Sequence, residues 1–200
     1  MAETNTKPNT NPNPRFSGAP GGAPGQAPQD RRRKRRSAAS EYKKSLQEKQ
    51  ELKRLYGLSE KQFKKYVTET LERRHKVENV SEELIKRLEK RLDNVIFRLG
   101  LAKSRSHSRQ MVSHAFFTVN GKAVNIPSFQ VNKGDVIALK ELKKKKTIFN
   151  DVADKLKKIE TPVWLKLDKQ KIQAEVAQDP TLAEANPPVE ISLIFEFYSR

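Results

Sequence analysis

The chain has 200 residues, with 41 Lys and Arg against 24 Asp and Glu, a formal charge of +17 and no cysteine. A balance this basic points to a polyanionic partner, nucleic acid before an anionic membrane surface, and the missing cysteines exclude disulfides and thiolate zinc sites and suit a reducing compartment. No segment reaches the roughly 18 apolar residues of a membrane span, and the first residues resemble neither a secretory signal nor a transit peptide, so a cytoplasmic protein of one or two small domains is expected.

In chain order, residues 1–39 come first as a low-complexity tail, with Asn and Pro giving way to Gly-Ala-Pro repeats. It cannot bury enough apolar surface to offset its ordering entropy and is expected to be disordered. The tail contains the basic run Arg31 to Arg36, which reads as a flexible arm that orders on nucleic acid. A helical pattern starts at Ser40, with Tyr42, Leu46, Leu52, Leu55 and Tyr56 on one face and Gly57 as its terminator. Ser59-Glu60-Lys61-Gln62 has the form of a capping box opening a second helix, whose buried stripe is Phe63, Tyr66, Val67, Thr70 and Leu71. Ser81 is expected to open a third, with Glu82 and Glu83 where the helix dipole favours acids and Leu84, Ile85 and Leu88 inside.

From Arg91 to Gly100 a further helix carries two stripes. Leu92, Val95, Ile96 and Leu99 share a buried face, while Arg91, Asn94 and Arg98 form a separate polar face expected to point outward. The next helix, with Ser104 as its N-cap, repeats the arrangement: Ser108, Met111, Val112 and Ala115 inside, Arg105 and Arg109 outside. Like charges one turn apart weaken a helix by a few tenths of a kcal/mol. That cost makes sense if phosphates occupy the groove between the helices, since the planar guanidinium can grip a phosphate with two hydrogen bonds. Gln110, Asn120 and Lys122 would extend the surface toward sugars and base edges. His114 fits either stacking on a base or a satisfied helix end. Strands follow: Phe116 to Val119, the Asn120-Gly121 hairpin signal, Ala123 to Ile126, a turn at Lys133-Gly134-Asp135, and Val136 to Leu139. Phe149, Val152, Ala153 and Leu156 suggest one more helix. Pro162 to Leu167 and Lys171 to Val176 alternate like strands, residues 178–188 read as a loop, and Val189 to Tyr198 is apolar. The expected fold class is α+β, a helical domain with an inserted domain of two helices and a small antiparallel sheet. The expected boundaries are 40–90 completed by 178–200, with 91–177 inserted.

The string from Arg91 to Glu141 resembles the S-four RNA-binding domain, with the segment from Ser104 to Val136 as its most specific part. The flanking segments Leu46 to Gly57, Glu60 to Phe63, Lys158 to Leu165 and Phe197 to Arg200 are similar to the universal S-four family of bacterial small-subunit ribosomal proteins. The likeness runs from about residue 40 onward. It implies a primary binder of small-subunit ribosomal RNA. Such a protein docks on the 5′ domain at a multi-helix junction, nucleates assembly, lies near the mRNA entry channel beside neighbouring ribosomal proteins and influences decoding accuracy. The family's RNA-contacting pattern falls on Arg91, Arg98, Ser104, Arg105, Arg109, Gln110, His114, Asn120 and Lys122, and its basic helical motif on Lys49, Gln50 and Arg54. The chain departs from the family before residue 40, where a fragment at Gly22 to Gln26 stands in for the usual basic segment.

An enzyme is not expected. There is no catalytic aspartate domain, no phosphate-cradling glycine loop set between strand and helix, and no nucleophile elbow or triad. No cofactor, metal or homo-oligomer is implied. A free RNA chaperone or ribosome-rescue factor using the same module is the alternative, and duplex DNA a weaker ligand than shaped RNA with its 2′-hydroxyls.

Overall fold

The computed structural model describes residues 41–144 and 161–199. The low-complexity tail, the Arg31 to Arg36 arm and the helix expected around Phe149 to Leu156 lie outside the described residues.

Three helices come first. Helix α1 (Glu41–Leu55) buries Ser45, Lys49 and Leu52 at helical spacing. It stops at Gly57, whose φ of 61° is open to glycine without a Cβ penalty. Leu58 N–H reaches back to the Lys53 carbonyl and Gly57 N–H to Arg54, closing a Schellman motif. Tyr42, expected inside, is 53% exposed at the start of this helix. Helix α2 (Glu60–Glu72) opens with the expected capping box of Ser59 and Gln62. Helix α3 (Val80–Glu89) starts one residue before the expected Ser81, because Asn79 provides the cap: its Oδ1 accepts from the N–H groups of Ser81 and Glu82.

Helix α4 (Leu92–Arg98) and helix α5 (Arg105–Ser113) pack together, and the chain then turns into a sheet. Ala115, expected on the inner helical stripe, instead lies beyond α5 with φ of 51°. The strands are β1 (Phe117–Val119), β2 (Lys122–Val124), β3 (Val136–Leu139), β4 (Leu165–Asp168) and β5 (Gln173–Val176), all antiparallel to their neighbours in the order β2-β1-β3-β5-β4. Asn120 and Gly121, with φ of 49° and 78°, make the tight turn between β1 and β2. A short helix α6 (Glu141–Lys144) follows β3. The stretch expected to be loop contains helix α7 (Leu182–Ala185), held by a second capping box from Thr181 and Glu184. The apolar run near the C-terminus is helix α8 (Ile191–Ser199).

Two apolar cores result. One gathers Leu52, Phe63, Val67, Leu84, Ile85 and Leu88 of α1–α3 with Ile191 and Ile194 of α8. Lys49 is trapped there at 5% exposure, its Nζ 2.7 Å from Glu60 and 4.3 Å from the centre of the Phe197 ring. Tyr198 completes the closure with a 2.9 Å hydrogen bond to Glu60. The second core joins Leu92, Val95 and Ile96 of α4 and Leu99 just after it to Met111 and Val112 of α5 and, from the sheet and its approach, Phe117, Ile137, Trp164 and Val176. Burying each of these large side chains contributes about 1.5–3 kcal/mol.

Candidate nucleic-acid interface

Polar groups fill the junction between the two cores. Two carboxylates organise it, Glu89 at the end of α3 and Asp93 in the first turn of α4, 1% and 3% exposed. Buried charges persist only when paired and hydrogen-bonded, and both are. Asp93 accepts from Arg91 Nε at 3.0 Å and Nη2 at 2.7 Å, and from Arg109 Nε at 3.1 Å and Nη2 at 3.0 Å. Arg91 also donates to the Tyr66 hydroxyl at 2.7 Å. Burial by itself would lower the Arg91 pKa, but the Asp93 hydrogen bonds and charge outweigh it and the value is raised. Arg109 carries the junction further, donating to the Gly57 and Tyr56 carbonyls. Those carbonyls lie at the end of α1, where the dipole welcomes a cation.

Glu89 accepts from the Tyr56 hydroxyl at 2.6 Å, from Asn94 Nδ2 at 2.7 Å and from Arg98 Nε and Nη2 at 3.0 and 2.7 Å. Its hydrogen bonds to Arg98 hold that guanidinium above its ordinary range. Burial, and then the Glu89 charge, push the Tyr56 phenol well up, so it stays a donor.

This placement corrects the expected outward face of α4. Arg91 and Asn94 are each 2% exposed, and Arg98 is half-buried against Glu89. Periodicity placed the three on one stripe, but that stripe faces the helical core across the junction. Arg109, expected beside Arg105 on an open groove, is turned onto Asp93. Lys49 is likewise inside, against Glu60 and Phe197. Asn120 is exposed, yet its amide is used at both ends, donating to Asp135 at 2.8 Å and accepting from Val136 N–H at 2.9 Å, so it pins the hairpin turn.

The other expected residues face solvent to differing degrees. Ser104 caps α5 by accepting from His107 N–H and is exposed, as are Gln110, His114 and Lys122. On α1, exposed Arg54 and half-buried Gln50 line a groove with Lys43, Leu46 and Pro188. Arg105 differs from the other arginines of α4 and α5. Its Nε donates to Asn94 Oδ1 at 2.8 Å, its guanidinium carbon lies 4.4 Å from the Phe97 ring centre and 5.1 Å from that of Tyr56, and it meets no carboxylate among the described residues. Burial lowers its pKa, and a guanidinium remains charged in proteins.

Glu89 and Lys103 were not singled out from sequence, and Tyr56 was read only as part of the buried face of the first helix. A signal for the surface was available: from Asn94 to Gly134 the chain has no Asp or Glu, while it has Arg98, Lys103, Arg105, Arg109, Lys122 and Lys133. With Arg98 and Arg109 paired inward, Lys103, Arg105, Lys122 and Lys133 are left without an acid partner among the described residues. Among those residues no cluster of His, Asp and Glu is suited to a metal ion, and no helix is long and apolar enough to cross a membrane.

Comparison with known proteins matches this architecture. The S4 domain family covers residues 90–137, and the family described as the ribosomal protein S4/S9 N-terminal domain covers residues 22–89, so the likeness begins before residue 40, earlier than expected from the sequence. The chain is 44% identical over 168 residues to small ribosomal subunit protein uS4 of Halothermothrix orenii, spanning 84% of this chain and 79% of that protein. It is 44% identical over 166 residues to uS4 of Caldicellulosiruptor saccharolyticus, spanning 82% and 78%. Against uS4 of Corynebacterium glutamicum the identity is 43% over 161 residues, spanning 80% and 79%. With this identity over most of both chains, and a buried α4 flanked by an acid-free basic stretch, the protein belongs to the uS4 family of small ribosomal subunit proteins.

Proposed function

We propose that this protein is a structural, non-enzymatic component of the small ribosomal subunit in the cytoplasm, where it binds small-subunit ribosomal RNA. The observation that carries the reading is the acid-free stretch from Asn94 to Gly134, whose cations Lys103, Arg105, Lys122 and Lys133 have no carboxylate partner among the described residues. A phosphate backbone supplies the missing counter-charge. Ser104, Gln110 and His114 border these cations on α5, and Arg54 with Gln50 offers a second contact on α1. Arg91, Asn94, Arg98, Arg109 and Lys49 support the surface from within and Asn120 shapes its hairpin.

Family membership extends the proposal. The protein acts as a primary binder that nucleates subunit assembly, lies near the mRNA entry channel beside other ribosomal proteins and affects translational accuracy, as a single copy. The two cores then correspond to a helical domain of residues 40–90 completed by 178–200, and an RNA-binding domain of residues 91–177 after a basic tail of residues 1–39. Sedimentation tests the central statement. The protein should co-migrate stoichiometrically with mature small subunits through a moderate-salt wash; complete release into the light fractions would instead indicate a transient RNA chaperone or rescue factor.

A further inference from the structure

Asn94 lies between a carboxylate and an arginine. Its Nδ2 donates to Glu89 Oε2 at 2.7 Å and to the Glu89 carbonyl at 3.2 Å, while its Oδ1 accepts from Arg105 Nε at 2.8 Å. An ionised carboxylate only accepts and a guanidinium only donates, so these neighbours leave the amide one orientation. Glu89 is itself fixed by the Tyr56 hydroxyl and by Nε and Nη2 of Arg98. On the other side, the rings of Phe97 and Tyr56 flank Arg105 and restrict its plane. The inward edge of the guanidinium is therefore committed, and among the described residues its two Nη groups bond to no protein acceptor. Arg91, Arg98 and Arg109 are anchored by carboxylates that also neutralise them. Arg105 is anchored by a neutral amide, which holds the side chain and leaves its charge whole.

We infer that Glu89 and Asn94 are positioning residues for phosphate recognition: Glu89 sets the Asn94 amide, Asn94 holds Arg105 through Nε, and the two Nη groups form a pre-set fork for an RNA phosphate. This rests on the RNA-binding role proposed above. A fork held in place spares the RNA the cost of ordering a free arginine.

The test is a double-mutant cycle read as affinity for a transcript of the 5′ domain of bacterial small-subunit ribosomal RNA at several salt concentrations. Asn94→Ala should weaken binding about 2- to 10-fold, the cost of immobilising one long side chain, with the salt slope nearly unchanged because the charge remains. Arg105→Ala should weaken binding and flatten the slope by roughly 0.7 to 0.9. In the Arg105→Ala background, Asn94→Ala should then have no further effect. An equal loss in both backgrounds would mean that Asn94 acts through the fold, and the positioning role would be overturned. If Arg105→Ala alters neither affinity nor slope, the RNA-binding reading fails at this residue, a different outcome from the first. Should Asn94→Ala fail to fold, the Arg105 Nε–H signal in nitrogen-resolved NMR of the unaltered protein decides. Slow solvent exchange supports the anchor, and exchange as fast as that of a free arginine overturns it.

Discussion

Arg91 and Arg105 sit at or near the N-terminal ends of adjacent helices, and their surroundings give them opposite duties. Arg91 is 2% exposed, hands two nitrogens to Asp93 and a third to Tyr66, and serves the junction between the cores. Arg105 lies against Phe97 and Tyr56, bonds only a neutral amide, and keeps its charge available. What separates them is the distribution of acids: Glu89 and Asp93 flank the start of α4, and the next acid after Asp93 is Asp135. A basic residue within reach of the first two becomes structural, whereas one beyond them is left for an external anion.

The sharpest way to break this contrast is Asp93→Ala. Removing the shared carboxylate strands the buried Arg91 and unpairs Arg109, so unfolding free energy should fall by about 3–5 kcal/mol in urea titration. Trp164, the one tryptophan, is buried in the second core and reports its unfolding, while circular dichroism follows the helices; the two transitions should separate. A loss under about 1 kcal/mol with coincident transitions would show that Asp93 does not lock the junction. Tyr56→Phe is the milder version, deleting one donor to Glu89, and should cost about 1.5–3 kcal/mol. On the open side, Lys103→Ala with Lys122→Ala should leave stability within about 0.5 kcal/mol, yet each lost phosphate contact should flatten the salt dependence of RNA binding by roughly 0.7 to 0.9. An unaltered slope would remove both lysines from the interface.

The smallest effect belongs to Glu60. Burial would raise its pKa, but hydrogen bonds from Lys49, Lys53 and Tyr198 bring it down from 4.5 to about 2. Because the folded value is the lower one, the stabilisation is full above the unfolded value and is lost as pH falls from about 4.5 toward about 2. The side chain is 47% exposed, so solvent screening keeps the contribution below about 1 kcal/mol. Glu60→Gln should flatten stability against pH in that window, and a curve unchanged from the parent would dismiss the link.

Much of this architecture is legible in local sequence. The spacing of Leu92, Val95, Ile96 and Leu99 places α4 on its core, Ser59 with Gln62 opens α2, and Asn120-Gly121 sets the hairpin. These signals act within a few residues, where spacing and backbone chemistry decide. The orientation of Arg91, Asn94 and Arg98 is not local. Their polar stripe would look the same facing water or facing a second core, and the partners that settle it come from elsewhere: Tyr66 for Arg91, Tyr56 through Glu89 for Arg98, Gly57 for Arg109. The burial of Lys49 is hidden from local sequence for the same reason, since Phe197 and Tyr198 arrive from α8. The α7 helix is missed because only four residues carry it, although Thr181 and Glu184 spell its cap.

The seating of α8 on α1 and α2 has a consequence for biosynthesis. The first three helices leave the ribosome early but lack the Ile191 and Ile194 side chains that finish their core, whereas α4, α5 and the sheet have all their strands by Val176. The segment emerging in the middle can therefore consolidate before its predecessors. Until α8 arrives, Phe63 lacks the Tyr198 ring packed against it, and a nascent chain stalled before Ile191 should be selectively vulnerable to proteases and chaperones along α1 and α2.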